Sequence, residues 1–295
     1  MIVESHKRIL GIIGGSGLYN FEGLQGVREQ AIESPFGKPS APLLCGELNG
    51  VEIVFLARHG AGHRIPPGDI NYRANIDALK RAGVTDIISV SACGSFREEL
   101  APGNFVIVDN FIDRTTTRAK SFFSEGFVAH VSMAQPVCLD LADSLAAGCE
   151  AIGVHYHKGG VYLAMDGPQF SSRAESLLYK SWGCDVIGMT NMPEAKLARE
   201  AEIPYATVAM VTDYDCWREN EDGVDVASVL AIMAENTKNA ARLIDDVASR
   251  LGPHRNMSRL QIEQTLDFAV ITSPDQRDKA VMQKLNAILA RFLKR

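Results

Sequence analysis

Residues 205–217, "YATVAMVTDYDCW", join an apolar run, Tyr205 to Val211, directly to two carboxylates one residue apart, Asp213 and Asp215. A short run of this kind, rich in β-branched residues and bounded by polar ones, reads as a strand covered on both faces. The same pattern recurs at "RILGIIG", "VEIVFLAR", "DIISVSA", "NFVIVD", "GVYLAMD" and "DVIGM". Helical spacing separates these runs near Tyr72 to Arg81, Gln135 to Glu150, Ser172 to Trp182 and Met192 to Ala201. Asn191 is the expected N-cap of the last, with Pro193 in its first turn. From Val226 to Leu251 the apolar positions repeat as one face of a long amphipathic helix. Alternation of strands and helices predicts an α/β fold, a mixed and mainly parallel central sheet flanked by helices.

The chain has 295 residues, 46% of them apolar, enough to fill one large core. A composition shift at "GPHRNMSRLQ" separates a main domain, residues 1–252, from an extension, residues 253–295. The extension is expected to end in a helix carrying Met282, Leu285, Leu289 and Phe292, packed on the same domain or on a neighbouring subunit. Net charge is −6 and no long basic block occurs, which argues against nucleic acid as a partner. The six cysteines form no C-x-x-C pair and have no metal-ligand spacing with the seven histidines, so no metal is expected. Their number and scatter suit reduced thiols. The first residues lack the continuous apolar stretch of a signal peptide, and no run is long enough to span a membrane. The expected location is the cytoplasm.

The strand ends carry the chemistry. "GIIGGSGLY" places small residues and Ser16 after a strand, where backbone amides approach an anion closely, although it is neither a Walker A loop nor a dinucleotide fingerprint. "ARHGAGHR" delivers Arg58, His59 and His63, with a guanidinium fork suited to phosphate oxygens. "SVSACGS" adds Ser91, Ala92 and Gly94; nothing local activates Cys93, so that thiol reads as packing. "MDGPQFSSRAE" offers Phe170 as a stacking face, and "GMTNMPE" brings Met189 and Thr190 to another strand end. Taken singly, each has a bland reading as turn, cap or core. Together they suit an anion beside a flat, polar-edged molecule.

These motifs, with "NYRANIDALK", "SACGSFREEL", "DRTT", "GPQFSSRAES", "MTNMPEAKLARE" and "TDYDCW" in order along most of the chain, resemble the trimeric purine nucleoside phosphorylases. The resemblance implies a single-domain phosphorylase fold, a homotrimer, and inorganic phosphate as cosubstrate without metal or organic cofactor. It assigns Ser16, Arg58, His59, Ser91, Ala92 and Thr190 to phosphate. Met189 would touch the ribose, and Phe170, Gly94 and Cys93 would line the base pocket. Val226, Val229 and Leu230 would face the 5′ substituent, with His130 reaching in from a neighbouring subunit. Asp213 and Asp215 would meet the purine edge, Asp213 protonating N7 and Asp215 accepting from the 6-amino group. Two departures stand out: Ser16 and Ser91 replace a common threonine, and Gly188 replaces the asparagine of animal members.

The implied reaction is phosphorolysis of 5′-methylthioadenosine to adenine and 5-methylthioribose 1-phosphate, a purine and methionine salvage step. Members that take 6-oxopurines carry glutamate and asparagine where this chain has Ser171 and Asp213. The alternatives are a 6-oxopurine or methylthioinosine phosphorylase, a nucleosidase using water, and a non-catalytic nucleoside-binding protein. In an extended segment residues two apart share a side, which is how Asp213 and Asp215 are expected to reach one base edge.

Overall fold

The structure, a computed structural model, describes residues 6–19, 23–218 and 226–294. Its strands are β1 (His6–Lys7), β2 (Ile9–Gly14), β3 (Gln25–Gln30), β4 (Leu43–Leu48), β5 (Val51–Ala57), β6 (Asp86–Ser95) and β7 (Phe105–Ile107). Then follow β8 (Asn110–Asp113), β9 (Tyr156–Lys158), β10 (Val161–Ala164), β11 (Val186–Gly188), β12 (Tyr205–Asp213) and β13 (His254–Arg255). The helices are α1 (Tyr72–Arg81), α2 (Leu139–Ile152), α3 (Arg173–Ser181), α4 (Asn191–Glu200), α5 (Val226–Leu251) and α6 (Lys279–Lys284). All but β1 and β13 join one mixed sheet of eleven strands. The α/β class with a mixed central sheet is therefore what the sequence predicts.

The centre of that sheet is β6, whose ten residues are almost all buried. One edge pairs with β12 along Ile87 to Gly94. The opposite edge pairs with parallel β2 from Asp86 to Ser89 and with antiparallel β11 only at Gly94 and Ser95. Residues 90–93 consequently have no strand on that side. Forcing two strands of opposite direction against one long strand leaves this gap, and the chemistry gathers in it.

Strands β3, β4, β8 and β9 escape the apolar-run reading. β3 is an exposed edge strand of sequence QGVREQ, and β9 is only three residues long, so neither shows a buried pattern. β4 was detectable from its turn: Asn49 and Gly50 both have positive φ, 51° and 77°, between antiparallel β4 and β5. Asn-Gly is the favoured pair for such a hairpin.

Alternate residues of β2 enter different cores. Leu10 and Ile12 pack with α2 and α5 residues such as Leu145 and Leu243, while Ile13 packs with Leu197 and Ala198 of α4. Helices α2 and α5 approach closely because residue 148 is glycine; a Cβ there would stand 2.7 Å from Leu243. Helix α3 carries a capping box between Ser172 and Glu175.

Asn191 is not a side-chain cap. Met192 is non-helical (φ −118°, ψ 133°), and the Asn191 amide is buried, donating to Tyr205 Oη at 2.8 Å and Thr207 Oγ1 at 2.5 Å. A capping role would have pointed it at its own helix; the core offers it stronger partners.

In the extension, Leu266, Leu285, Ile288 and Leu289 are buried in the same cluster as Ile13. Arg291 holds both Glu202 oxygens at 2.7 Å and Asp267 at 2.6 Å, while Leu266 N–H donates to Glu202 at 2.9 Å. The single closing helix expected there is broken: α6 stops at Lys284, and turns carry Leu285 and Leu289 inward.

Candidate active site

The open edge of β6 faces a cavity of about 420 Å³, within the range usual for small-molecule sites. Parallel β2, β5, β6 and β12 all end around it, and β11 runs back beside the gap. Arg58, His59, Ser91, Ala92 and Thr190 line one part. Cys93, Gly94, Phe170 and Met189 line it further on, with Asp213 and Asp215. Val229 and Leu230 of α5 complete a wall with Met233, which the motifs did not single out. The side chains of Ser16 and Val226 lie outside the described residues, although the neighbours of Ser16, Gly15 and Gly17, line the cavity. His130 stands apart: it lines a second cleft with Arg199 and Phe268.

The paired acids meet, but not by extended alternation. β12 is irregular between Val211 and Asp213, the strand stops at Asp213, and Asp215 is left-handed (φ 52°). Aspartate tolerates that conformation better than most residues. The turn lets Asp215 N–H donate to Asp213 Oδ1 at 2.8 Å, while Thr212 Oγ1 donates to Asp213 Oδ2 at 2.7 Å. Burial raises the Asp213 pKa, and these two donors oppose the rise. Burial also raises Asp215, Ser176 opposes, and the charge of Asp213 adds to the rise. Asp215 Oδ2 is buried with no hydrogen-bond partner among the described residues. Burial thus raises both carboxyls, each against donors that oppose the rise.

Arg58 is a wall element with most of its fork already engaged. Its Nε donates to Glu194 Oε2 at 2.9 Å, Nη2 to Glu194 Oε1 at 3.2 Å and Ser89 Oγ at 2.6 Å, and Nη1 to Val90 O at 3.0 Å. Both side chains of the pair are 2% exposed. Burial works to lower the Arg58 pKa, but the charge and hydrogen bonds of Glu194 outweigh it and raise it. Glu194 lies inside a quoted motif, yet no spacing or period revealed it as the partner of Arg58. Ser91 is also engaged, its hydroxyl donating to Asn191 Oδ1 at 2.9 Å.

His59 Nδ1 lies 2.9 Å from Ile65 O, a contact that requires Nδ1 to carry the proton. Burial and the charge of Arg58 lower its pKa to about 4, so the ring is neutral near pH 7. His63 stacks on it with ring centres 4.1 Å apart. Cys93 is buried, and burial with the nearby Asp213 pushes its thiol well above the ordinary range. That is a packing thiol, not a nucleophile. At Gly188 the side-chain space is taken: a Cβ would collide with the hydroxyl of Tyr162. No cluster of three His, Cys, Asp or Glu among the described residues could hold a metal ion.

Comparison with known proteins places this geometry. Residues 9–249 match the model of the phosphorylase superfamily. The S-methyl-5'-thioadenosine phosphorylase of Cereibacter sphaeroides is 55% identical, over 98% of this chain and 99% of the relative. That of Rhodospirillum rubrum is 54% identical over 98% and 99%. Among solved structures, a methylthioadenosine phosphorylase from an antarctic soil metagenomic library superposes with a TM-score of 0.91 at 44% identity, covering 96% of this chain and 99% of that one. The Schistosoma mansoni methylthioadenosine phosphorylase in complex with adenine gives 0.77 at 36% identity, covering 83% and 92%. With a full-length match in sequence and fold, and a cavity built from the same strand ends that the motifs mark, the chain belongs to the phosphorylase superfamily, among the S-methyl-5'-thioadenosine phosphorylases.

Proposed function

We propose that the protein cleaves 5′-methylthioadenosine with inorganic phosphate, giving adenine and 5-methylthioribose 1-phosphate. One observation carries the reading: a half-buried carboxyl pair with raised pKa values shares one cavity with Arg58 and His59 and with the apolar face of α5. A phosphate oxygen bonds to the anomeric carbon as the bond to purine N9 breaks, and the bonding pair leaves with the base. The sugar passes through a cationic state, which the phosphate charge stabilises. The departing purine becomes a neutral product by taking a proton at N7 from the carboxyl pair. Resemblance assigns that donation to Asp213. No metal or organic cofactor takes part in this scheme.

Ser171 and Asp213 favour a 6-amino over a 6-oxo base. Assays of phosphate-dependent base release from methylthioadenosine, adenosine, methylthioinosine and inosine test the whole reading. The expected order has methylthioadenosine first, ahead of adenosine by about 10- to 100-fold in kcat/KM, the discrimination an apolar wall provides. Turnover without phosphate would make the protein a nucleosidase, and no product at all would leave a binding module.

A homotrimer acting in purine and methionine salvage in the cytoplasm completes the proposal. Exposed apolar side chains support assembly: Leu230 at the cavity mouth is 59% exposed, and Phe268 beside the His130 cleft is 89% exposed. His130 would reach a neighbour's 5′ pocket across such a boundary. Light scattering should give three times the chain mass; a fully active monomer would rule the assembly out. No helix among the described residues is long and apolar enough to cross a membrane.

A further inference from the structure

Behind the wall formed by Met189 and Thr190 lies a second buried guanidinium, Arg118, whose side chain is 1% exposed. Its Nη1 donates to Met189 O at 2.5 Å, to Met192 O at 2.7 Å and to Tyr72 Oη at 3.0 Å. Its Nη2 donates to Asp166 O at 2.8 Å and to Met165 O at 3.3 Å. One side chain thus ties the chain after β10, the chain after β11 and the start of α4. The carboxylate nearest to it is Asp166, 3.6 Å from Nε and partly open to solvent, and Nε itself makes no hydrogen bond among the described residues. Arg58, by contrast, is held bidentately by a carboxylate as buried as itself.

The peptide from Met189 to Thr190 is trans, so its C=O and N–H point in opposite directions. With the carbonyl drawn back onto Arg118, the Thr190 N–H is turned the other way. The hydroxyl of Tyr162, packed against Gly188, is buried without a hydrogen-bond partner among the described residues. Thr190 and Ser91 both line the cavity. A carbonyl that accepts from a guanidinium also polarises its own peptide, which makes that N–H a stronger donor.

We propose that Arg118 is a positioning residue for the anion end of the site: it fixes the peptide that joins Met189 to the cavity-lining Thr190, and it adds to Arg58 a second buried positive charge that no buried carboxylate neutralises. The idea rests on the phosphorolysis reading, because it names phosphate as the anion. It is distinct from a role in folding, since a mere strut would affect both substrates alike. The charge of Arg118 also reaches His59, where it adds to the lowering caused mainly by burial and Arg58.

Two variants of the full chain test it. Arg118→Met removes charge and fork, and Arg118→Lys keeps the charge with fewer donors. The readouts are calorimetric binding of inorganic phosphate and the separate KM values for phosphate and methylthioadenosine. Loss of a charge-assisted contact predicts phosphate binding about 10-fold or more weaker in Arg118→Met, with the nucleoside KM within about 3-fold of wild type. Arg118→Lys should fall between the two proteins in phosphate affinity. Should Arg118→Met not fold, the lysine variant decides: a phosphate KM raised by about 2- to 5-fold at unchanged nucleoside KM upholds the proposal. Unchanged phosphate affinity in a folded variant, or equal rises in both KM values, overturns it. If wild-type protein binds no phosphate at all, the phosphorolysis reading itself fails and this proposal with it.

Discussion

Replacing Asp213 with asparagine lowers methylthioadenosine phosphorolysis by roughly 10²- to 10⁴-fold, the usual value of a positioned proton transfer. The amide keeps the shape and can still accept the 2.8 Å hydrogen bond from Asp215 N–H, but it has no acidic proton for the leaving base. Methylthioinosine loses less, because an amide can pair with the O6 and N7 edge of an oxopurine, so the ratio of the two efficiencies moves toward the oxo substrate. Both carboxyls have raised pKa values, so the proton-bearing form is lost, and the rate with it, as pH climbs through those values. In Asp213→Asn the charge that helps to raise Asp215 is gone, and its pKa moves down.

Stability also falls as pH rises. A carboxyl whose folded pKa exceeds the unfolded one stabilises the fold at acid pH, a contribution lost as pH rises through the folded value. Above its folded pKa the half-buried charge of Asp213 is thus a cost, and there the asparagine variant should melt no lower than wild type. Its melting temperature and both kcat/KM values, measured at saturating phosphate, check this. Equal losses on the two substrates would make Asp213 a structural residue, and an unchanged adenine rate would remove it from the chemistry.

Arg58→Ala destabilises the fold by about 3–5 kcal/mol, the cost of leaving a buried charge without its partner. The reason is Glu194, which loses both bonds of its bidentate contact in a place only 2% exposed. If Arg58 also serves phosphate, through the Nη1 hydrogen that Val90 O leaves free, the KM for phosphate rises as well. Pairing Arg58→Met with Glu194→Gln separates the two effects. The double variant should regain much of the lost stability, since the uncompensated charge is removed, yet keep the weakened phosphate affinity. A double variant with wild-type phosphate KM would reduce Arg58 to a structural role. Urea melts and phosphate saturation curves on the three proteins supply both readings.

The parts of the molecule written as local pattern were readable without coordinates. Helices α1 and α5 carry strong 3.6 periodicity and run where that periodicity predicts, from Tyr72 to Arg81 and from Val226 to Leu251. The buried runs of β2, β5, β6 and β12 announce themselves because strands covered on both faces are apolar throughout. Residues emerging at those strand ends gather in one cavity because parallel strands in a sheet end on the same side.

What no local pattern could specify is who faces whom. The polar edge strand β3 and the three-residue β9 exist only because a neighbouring strand offers hydrogen bonds, so their sequences carry no period. The Arg58–Glu194 pair joins residues 136 apart, and the Arg118 clamp reaches 71 residues to Met189. Spacing along a chain says nothing about contacts at such separation. Tertiary structure also decided the state of the acids: their sequence neighbours make them a turn, while burial against Cys93 and Gly94 makes them a titrating pair. Residue type sets which chemistry is available; desolvation and fixed partners, which arise only on folding, set the charge each group holds.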